Sequence, residues 1–432
     1  VTQSPFDTPM SAAGAGTTWI TLNPLEILSG YMPVFVVALL TTLITTPIVR
    51  RVALLTGIID KPDQARKLHA YPVAYLGGLA IFVGALVAIG ASVVFTSEQA
   101  SNLELQGVPL SIVVGMLAIV FTGLADDIWK WDPRLKIAGQ LIAAAALAIE
   151  DVGPQLAAGV LSAIFGAPQE LLFSIGDFHV PNAELYYWVG TAITAVFVLG
   201  GCNAANLIDG LDGLLTGTTT IMALGFLAIS LIMASSVPIE HPEHSFAGTR
   251  IILCLVLLGT TLGFLPYNFN PAIIFMGDCG SLLIGFLSVV IIMTFGEHGT
   301  TKYAVAGILC FGLPILDTTL SIIRRKVAGI SISEADHNHI HHKFKRHFGT
   351  VRKAVLALYG VAAGFSLLGV GLSSLLLLTD VRGIVVEASV LAAFLLVVVF
   401  AVKRARYNEW QKRNRAELKA SHAPGKSERT KS

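Results

Sequence analysis

Eleven stretches of this 432-residue chain are apolar for about as long as a helix needs to cross a bilayer. They fall at about 32–49, 76–95, 108–125, 135–150, 186–200, 214–236, 251–266, 279–295, 303–322, 354–378 and 384–402. Composition agrees: 54% of residues are hydrophobic and only 13% are charged, where a soluble domain carries roughly 25%. An outer-membrane barrel would show short strands of alternating polarity, and these are absent. The expectation is an all-α, polytopic membrane protein with about eleven transmembrane helices. Several stretches are short, so tilt or local thinning of the bilayer is expected. Residues 1–31 form an N-terminal exterior segment, 32–402 the membrane domain and 403–432 a basic tail. The first segment lacks the basic start of a signal peptide, so the first span is expected to insert uncleaved.

Basic residues orient the chain. With the loop after the first span in the cytoplasm, 26 of the 29 Lys and Arg fall on the cytoplasmic side, the exceptions being Arg250, Lys302 and Arg382. That asymmetry places the N-terminus outside and the C-terminus in the cytoplasm. The net charge of +1 says nothing about partners. The four cysteines lie in or beside apolar runs without metal or disulfide spacing, and read as reduced, packed thiols. Outside, Leu171–Ile175, Gly176-Asp177 and Phe178–Val180 read as a hairpin with a glycine turn, and Leu156–Phe165 as an interfacial segment. Pro314 should kink the ninth span, and Gly360 with Gly364 reads as a helix-packing pair.

The same alternation brings three short acidic segments to the cytoplasmic face: Asp126-Asp127, Asn203–Gly213 and Gly277–Ser281. A carboxylate at mid-bilayer costs roughly 2.5–3.5 kcal/mol, and less toward the edge. Five of them at span ends do not stabilise a fold. Gathered together, Asp126, Asp127, Asp209, Asp212 and Asp278 would need protons, lysines or a divalent cation, and hard oxygen ligands suit Mg²⁺.

Each segment has an ordinary alternative. Asp126-Asp127 alone reads first as a helix end. Asp278 would serve as an N-cap, or Gly277–Ser281 as a phosphate-facing helix start. Asn203–Gly213 carries more amides and carboxylates than a turn requires, and lacks the spacing of a calcium loop. His339, His341 and His342 share a loop with Lys343, Lys345 and Arg346, which favours phosphate contact over zinc. Lys67 reads either as a positive-inside residue or as a holder of a diphosphate. The combination suits phosphoryl transfer between a water-soluble nucleotide donor and a phosphate headgroup in the membrane. That chemistry asks mainly for positioning and charge neutralisation.

Asp126-Asp127, Asn203-Ala-Ala-Asn-Leu-Ile-Asp-Gly-Leu-Asp-Gly213, the run from Asn268 to Asp278, and His339-Ile-His-His342 resemble the motifs of the polyprenyl-phosphate N-acetylhexosamine-1-phosphate transferases. The resemblance covers about residues 33–350 in order, and that family has an eleven-helix layout. It implies that a polyprenyl phosphate, in bacteria undecaprenyl phosphate, attacks the β-phosphate of a UDP-N-acetylhexosamine. UMP leaves, Mg²⁺ is required, and Mn²⁺ substitutes for it. By that likeness Asp278 binds the metal, and Asp126 or Asp127 assists the attacking phosphate as base or metal-ordering group. Asn206, Asp209, Asp212, Asn268 and Phe275 hold the uridine and sugar side, while Lys67, His339, His341 and His342 meet phosphates or the amino sugar. The His-Ile-His-His form looks like the branch using UDP-N-acetylglucosamine. The chain departs from the family at Tyr75 and His337, where basic residues are common. Asp132 lies too far along to complete a tight DDxxD.

The implied partners are the two substrates and membrane lipid; nucleic acid is not among them, and a homodimer is compatible with the resemblance. The alternatives are phospho-N-acetylmuramoyl-pentapeptide transfer in peptidoglycan synthesis and a transporter with intramembrane carboxylates. Transporters usually place such groups near the midplane, often within inverted repeats, and no repeat is visible here. A transferase using CDP-activated donors would carry a DGxxAR pattern, which is missing. The orientation is open to test: reporters fused to either end should place the C-terminus in the cytoplasm and the N-terminus outside, and the reverse result would contradict the charge reading.

Overall fold

The computed structural model describes residues 23–60, 72–95, 107–156, 161, 171–175, 178–236, 245–297, 301–331, 339–379 and 383–421. Helices occupy every expected span. In order they are α1 (Pro24–Thr56), α2 (Gly77–Val94), α3 (Leu110–Trp129), α4 (Pro133–Ile149), α5 (Asn182–Ile208), α6 (Leu214–Ser236), α7 (Ala247–Asn268), α8 (Gly277–Thr294), α9 (Thr301–Cys310), α10 (Gly312–Ala328), α11 (Ile340–Phe348), α12 (Val351–Leu378) and α13 (Gly383–Ser421). Among the described residues nine helices are long and apolar enough to cross a membrane, and the bent pair α9–α10 makes a tenth candidate. The 17-residue α4 covers the remaining expected span. The protein is an all-α polytopic membrane protein.

The pair α9–α10 turns through 74°. The break falls at Phe311, three residues before Pro314. A proline ring clashes with the carbonyl four residues earlier, here Cys310, where α9 stops. The hairpin is present as β3 (Leu171–Ile175) against β4 (Phe178–Pro181), with Phe173 opposite Val180 and Ile175 opposite Phe178. The expected turn Gly176-Asp177 lies outside the described residues, as does most of Leu156–Phe165. α13 runs unbroken from Gly383 to Ser421, so the basic stretch after residue 403 continues the last helix. All four cysteines are free and buried.

The core centres on α7 and α8. The apolar windows of α8 and α7 are 94% and 89% buried, against 6% for α13, whose apolar sides face outward. Buried Leu, Ile and Val line α8 on all sides, as a helix enclosed by others requires. At its far end Arg250 donates to Thr294 O (2.8 Å) and to Glu297 Oε2 (2.7 Å), and the amide of Phe246 donates to Glu297 Oε1 (2.9 Å). Arg250 therefore belongs to a buried ion pair, which accounts for one of the three exceptions to the charge asymmetry.

Close backbone approach brings other helices onto the near end of α8. A Cβ at Gly78 would lie 2.1 Å from the amide nitrogen of Gly280, and one at Gly123 would lie 2.5 Å from Cys279 Cα. Neither α2 nor α3 could approach α8 so closely with a side chain there. Similarly, a Cβ on Gly259 or Gly263 would strike the α1 backbone. Gly360 and Gly364 behave differently: a Cβ at either meets nothing within 4 Å. The packing pair suggested by their spacing is thus exposed, and Gly259 with Gly263 does that work.

Substituting Gly78 by Val should cost on the order of 3 kcal/mol or more, because backbone must move. Gly360→Val should stay within about 0.5 kcal/mol of the parent. Thermal unfolding of the two purified variants checks both, and a tolerant Gly78 would contradict this packing.

Candidate active site

The acidic centre is built on the first turn of α8. Gly277 has φ +68°, a left-handed turn that suits glycine, and a Cβ there would lie 2.4 Å from Asp127 Oδ2. The chain thus enters α8 directly beneath the Asp127 carboxylate. Asp127 accepts the amide of Asp278 (2.8 Å) on one oxygen and that of Cys279 (3.1 Å) on the other. A carboxylate of α3 therefore caps α8, satisfying two amides that open a buried helix. A strand-like stitch holds the same corner. β1 (Ile59–Asp60) pairs with β2 (Val73–Ala74), Phe275 N donates to Ala74 O (2.8 Å), and Gly77 N donates to Phe275 O (2.8 Å).

Asp126, Asp127 and Asp278 offer oxygens within 4.8 Å of one another. Two unit charges about 4 Å apart at an effective dielectric near 20 oppose each other by about 4 kcal/mol. Lys136, from the first turn of α4, answers that repulsion. Its ammonium lies 2.8 Å from Asp126 Oδ2 and 2.5 Å from Asp278 Oδ2. Asn206 donates to the other oxygen of Asp278 (3.0 Å) and to Ser281 Oγ (2.9 Å). The donor set fits a hard divalent cation: carboxylate oxygens of Asp126 and Asp278 already converge on a cationic group. The oxygens of Asp127 are directed at backbone amides.

The Asn203–Gly213 segment closes over this centre. Asp209 is partly buried, and its carboxyl is pushed up to about 8, first by burial and then by Asp278, Asp127 and Asp212. Asp212 accepts Asn270 Nδ2 (2.8 Å) and the amide of Ala272 (3.0 Å), tying this segment to the loop before α8. Asn268 is 2% exposed; it accepts from Thr216 Oγ1 (2.7 Å) and donates to Ile274 O (3.1 Å). It lies beneath the loop that carries Phe275. The Phe275 ring meets Tyr75 edge-on at 6.4 Å, and Lys130 Nζ sits 5.3 Å over the Tyr75 ring. Tyr75, Lys130 and Asp127 line a cavity of about 420 Å³ with Ile58, Ile59 and Ile128. Burial and the nearby carboxylates raise the Tyr75 phenol, so it stays protonated.

The histidine segment reaches the same end of the molecule. His339 Nδ1 lies 2.9 Å from Asp317 Oδ2, and Asp317 Oδ1 accepts the amide of Ile340 (2.8 Å). The His339 and His341 rings stack at 5.4 Å and 6°, and His342 lies 4.3 Å from His341. His341 is 3% exposed and packs on Gly210, where a Cβ would fall 2.3 Å from its Nε2. Burial, with help from His342, holds His341 down at about 3, so it is neutral at physiological pH. Lys67 and His337 lie outside the described residues.

The structure therefore gathers Asp126, Asp127, Asp278, Asn206 and Asp209 at one end of the bundle, with His341 against the loop that carries Asp209. Sequence reasoning missed Lys136, which it counted only as a positive-inside residue, and gave Asp317 no role. Lys136 lies ten residues beyond Asp126 and on the next helix, so no i, i+3 or i, i+4 pattern marks it. The molecule is a membrane-embedded protein with an acidic centre, bonded to the Lys136 ammonium, beside a helix N-terminus.

Comparison with known proteins fits that description. The profile described as Glycosyl transferase family 4 matches residues 109–296. A Bacillus subtilis (strain 168) protein, named "Probable undecaprenyl-phosphate N-acetylglucosaminyl 1-phosphate transferase", is 34% identical over 341 residues, covering 79% of this chain and 84% of that one. The decaprenyl-phosphate N-acetylglucosaminephosphotransferase of Mycolicibacterium smegmatis is 30% identical, covering 74% and 77% of the two chains. The undecaprenyl-phosphate alpha-N-acetylglucosaminyl 1-phosphate transferase of Escherichia coli K12 is 28% identical, covering 82% and 86%. The chain belongs to glycosyl transferase family 4, in its group of polyprenyl-phosphate N-acetylglucosamine-1-phosphate transferases.

The raised carboxyl of Asp209 has a measurable consequence. Its ordinary value is 3.8 and its folded value about 8, so the folded protein binds more protons between these limits. Stability from this group is full below about pH 4 and is lost as pH rises through about 8. In metal-free protein, Asp209→Asn should flatten the fall in melting temperature between pH 5 and 8.5. An unchanged slope would contradict the assignment.

Proposed function

We propose that this protein transfers N-acetylglucosamine 1-phosphate from UDP-N-acetylglucosamine to a polyprenyl phosphate, undecaprenyl phosphate in the simplest case, at the cytoplasmic face of the inner membrane. An oxygen of the lipid phosphate attacks the β-phosphorus of the donor. The bond from that phosphorus to the bridging oxygen breaks, UMP leaves, and a lipid-linked sugar diphosphate remains, the first intermediate of a cell-envelope glycan. The observation that carries the reading is the convergence of Asp126, Asp127 and Asp278 from distant parts of the chain onto one helix start. The names of the relatives support the same substrates.

Asp126 and Asp278 would hold Mg²⁺, or Mn²⁺ in its place, and the bound cation would neutralise charge on the phosphoryl oxygens. Asp127 orients Asp278 by capping α8, which favours Asp126 as the carboxylate that meets the attacking phosphate. Asn206 fixes the Asp278 rotamer from the opposite oxygen. Asp209 and Phe275 face the donor, and Asp212 and Asn268 shape their loops from beneath. His341, held neutral, would offer hydrogen bonds to sugar or phosphate without adding charge, between His339 and His342. Lys67 is assigned to phosphate contact from its basic setting in the sequence and from family likeness. The exterior segment 1–31, the membrane domain 32–402 and the basic tail from 403 remain the proposed division of the chain, and a homodimer the proposed assembly.

Purified protein given UDP-N-acetylglucosamine, undecaprenyl phosphate and Mg²⁺ should release UMP and form the lipid diphosphate-sugar. Asp278→Asn should lower turnover by at least about 10²-fold while the variant remains folded. Release of UDP would point to glycosyl transfer instead. Turnover only with a UDP-muramoyl-pentapeptide donor would favour the peptidoglycan alternative.

A further inference from the structure

Lys136 stands where the cation belongs. Its ammonium bonds the Oδ2 atoms of both Asp126 and Asp278. Among the described residues no other cationic group contacts either carboxylate. Asp127 is engaged by backbone amides, and Asn206 is neutral. A divalent ion bound to the same oxygens at about 2.1 Å would overlap the ammonium and repel it. Both cannot occupy the centre.

We propose that Lys136 is a built-in counter-ion of the acidic centre: it neutralises Asp126 and Asp278 before the metal arrives and must withdraw when the metal binds. The proposal rests on the reading that this centre takes a divalent cation. Lys136 is placed to withdraw. Its backbone is fixed at the start of α4, where Asp132 Oδ1 accepts the amide of Arg134 (2.8 Å) and Pro133 opens the helix. Its side chain is 26% exposed, against 10% for Asp126 and 18% for Asp278. The long, flexible stem can swing toward solvent while the carboxylates stay in place, and no helix has to move.

Two opposed effects follow. Without metal, Lys136 keeps clustered carboxylates from repelling one another. With metal, the same residue is a competitor that weakens binding. A residue that merely packed, or that only contacted substrate phosphate, would produce neither effect in substrate-free protein.

The test uses the full chain in detergent without substrate, with Mn²⁺ binding followed by the electron paramagnetic resonance signal of free Mn²⁺. Lys136→Met should bind Mn²⁺ about tenfold or more tightly than the parent, since a competing charge is gone. Lys136→Arg should stay within about threefold of the parent. In chelator Lys136→Met should melt below the parent, and Mn²⁺ should close that gap. If Lys136→Met does not survive chelation, Lys136→Gln should show the same tightening, since it keeps a hydrogen-bond donor without the charge. Equal or weaker Mn²⁺ binding by the uncharged variants would overturn the proposal, as would no binding by any form. Mg²⁺-dependent UMP release by the parent separates that last outcome from failure of the transferase reading.

Discussion

The structure depends on a carboxylate of one helix capping another inside an apolar bundle. Asp127 binds the amides of Asp278 and Cys279, and so fixes where α8 begins and which way Asp278 points. An amide left unpaired in such surroundings costs roughly 1–3 kcal/mol, so the helix start and the acidic centre are one construction. Removing Asp127 would disturb both, and a functional loss at this position would not by itself report on chemistry. Asp126, its neighbour in sequence, faces Lys136 instead.

That cap is possible only because α2 and α3 reach the α8 backbone. Gly78 and Gly123 supply the approach, and Gly277 lets the chain turn in under Asp127. The Asn203–Gly213 segment then covers the centre, tied down through Asp212 to the loop before α8 and supported from outside by His341 against Gly210. The kink at Phe311 aims α10 so that Asp317 meets His339 and the first amide of α11. The polar segments are therefore braced by one another. A site at the rim of a membrane protein needs such bracing, because lipid-facing helices such as α13 contribute little packing.

Much of this was legible in the sequence. Apolar length located every helix but α11, since hydrocarbon thickness sets a length that loops do not share; Ile340–Phe348 is short and polar, and reads as loop. Proline chemistry located the break before Pro314. The acidic segments were recognisable because carboxylates at span ends need a reason to be there. Three features were not legible. Lys136 was hidden among topogenic basic residues, because Asp126 lies on another helix, Asp278 lies far off in sequence, and charge counting ignores geometry. The GxxxG spacing of Gly360 and Gly364 carries no information about which side of a helix meets protein or lipid, so it pointed away from Gly259 and Gly263. Asn268 is polar in a motif, yet both ends of its amide are bonded inside, and only the fold could show that.

The central claim is that Asp126 and Asp278 form one cation site at the start of α8. Anomalous scattering from crystals of the protein soaked in Mn²⁺ tests it most directly. The account expects a single strong peak per chain, about 2.1 Å from a carboxylate oxygen of each residue. A peak elsewhere in the molecule, with none between these two carboxylates, would contradict it.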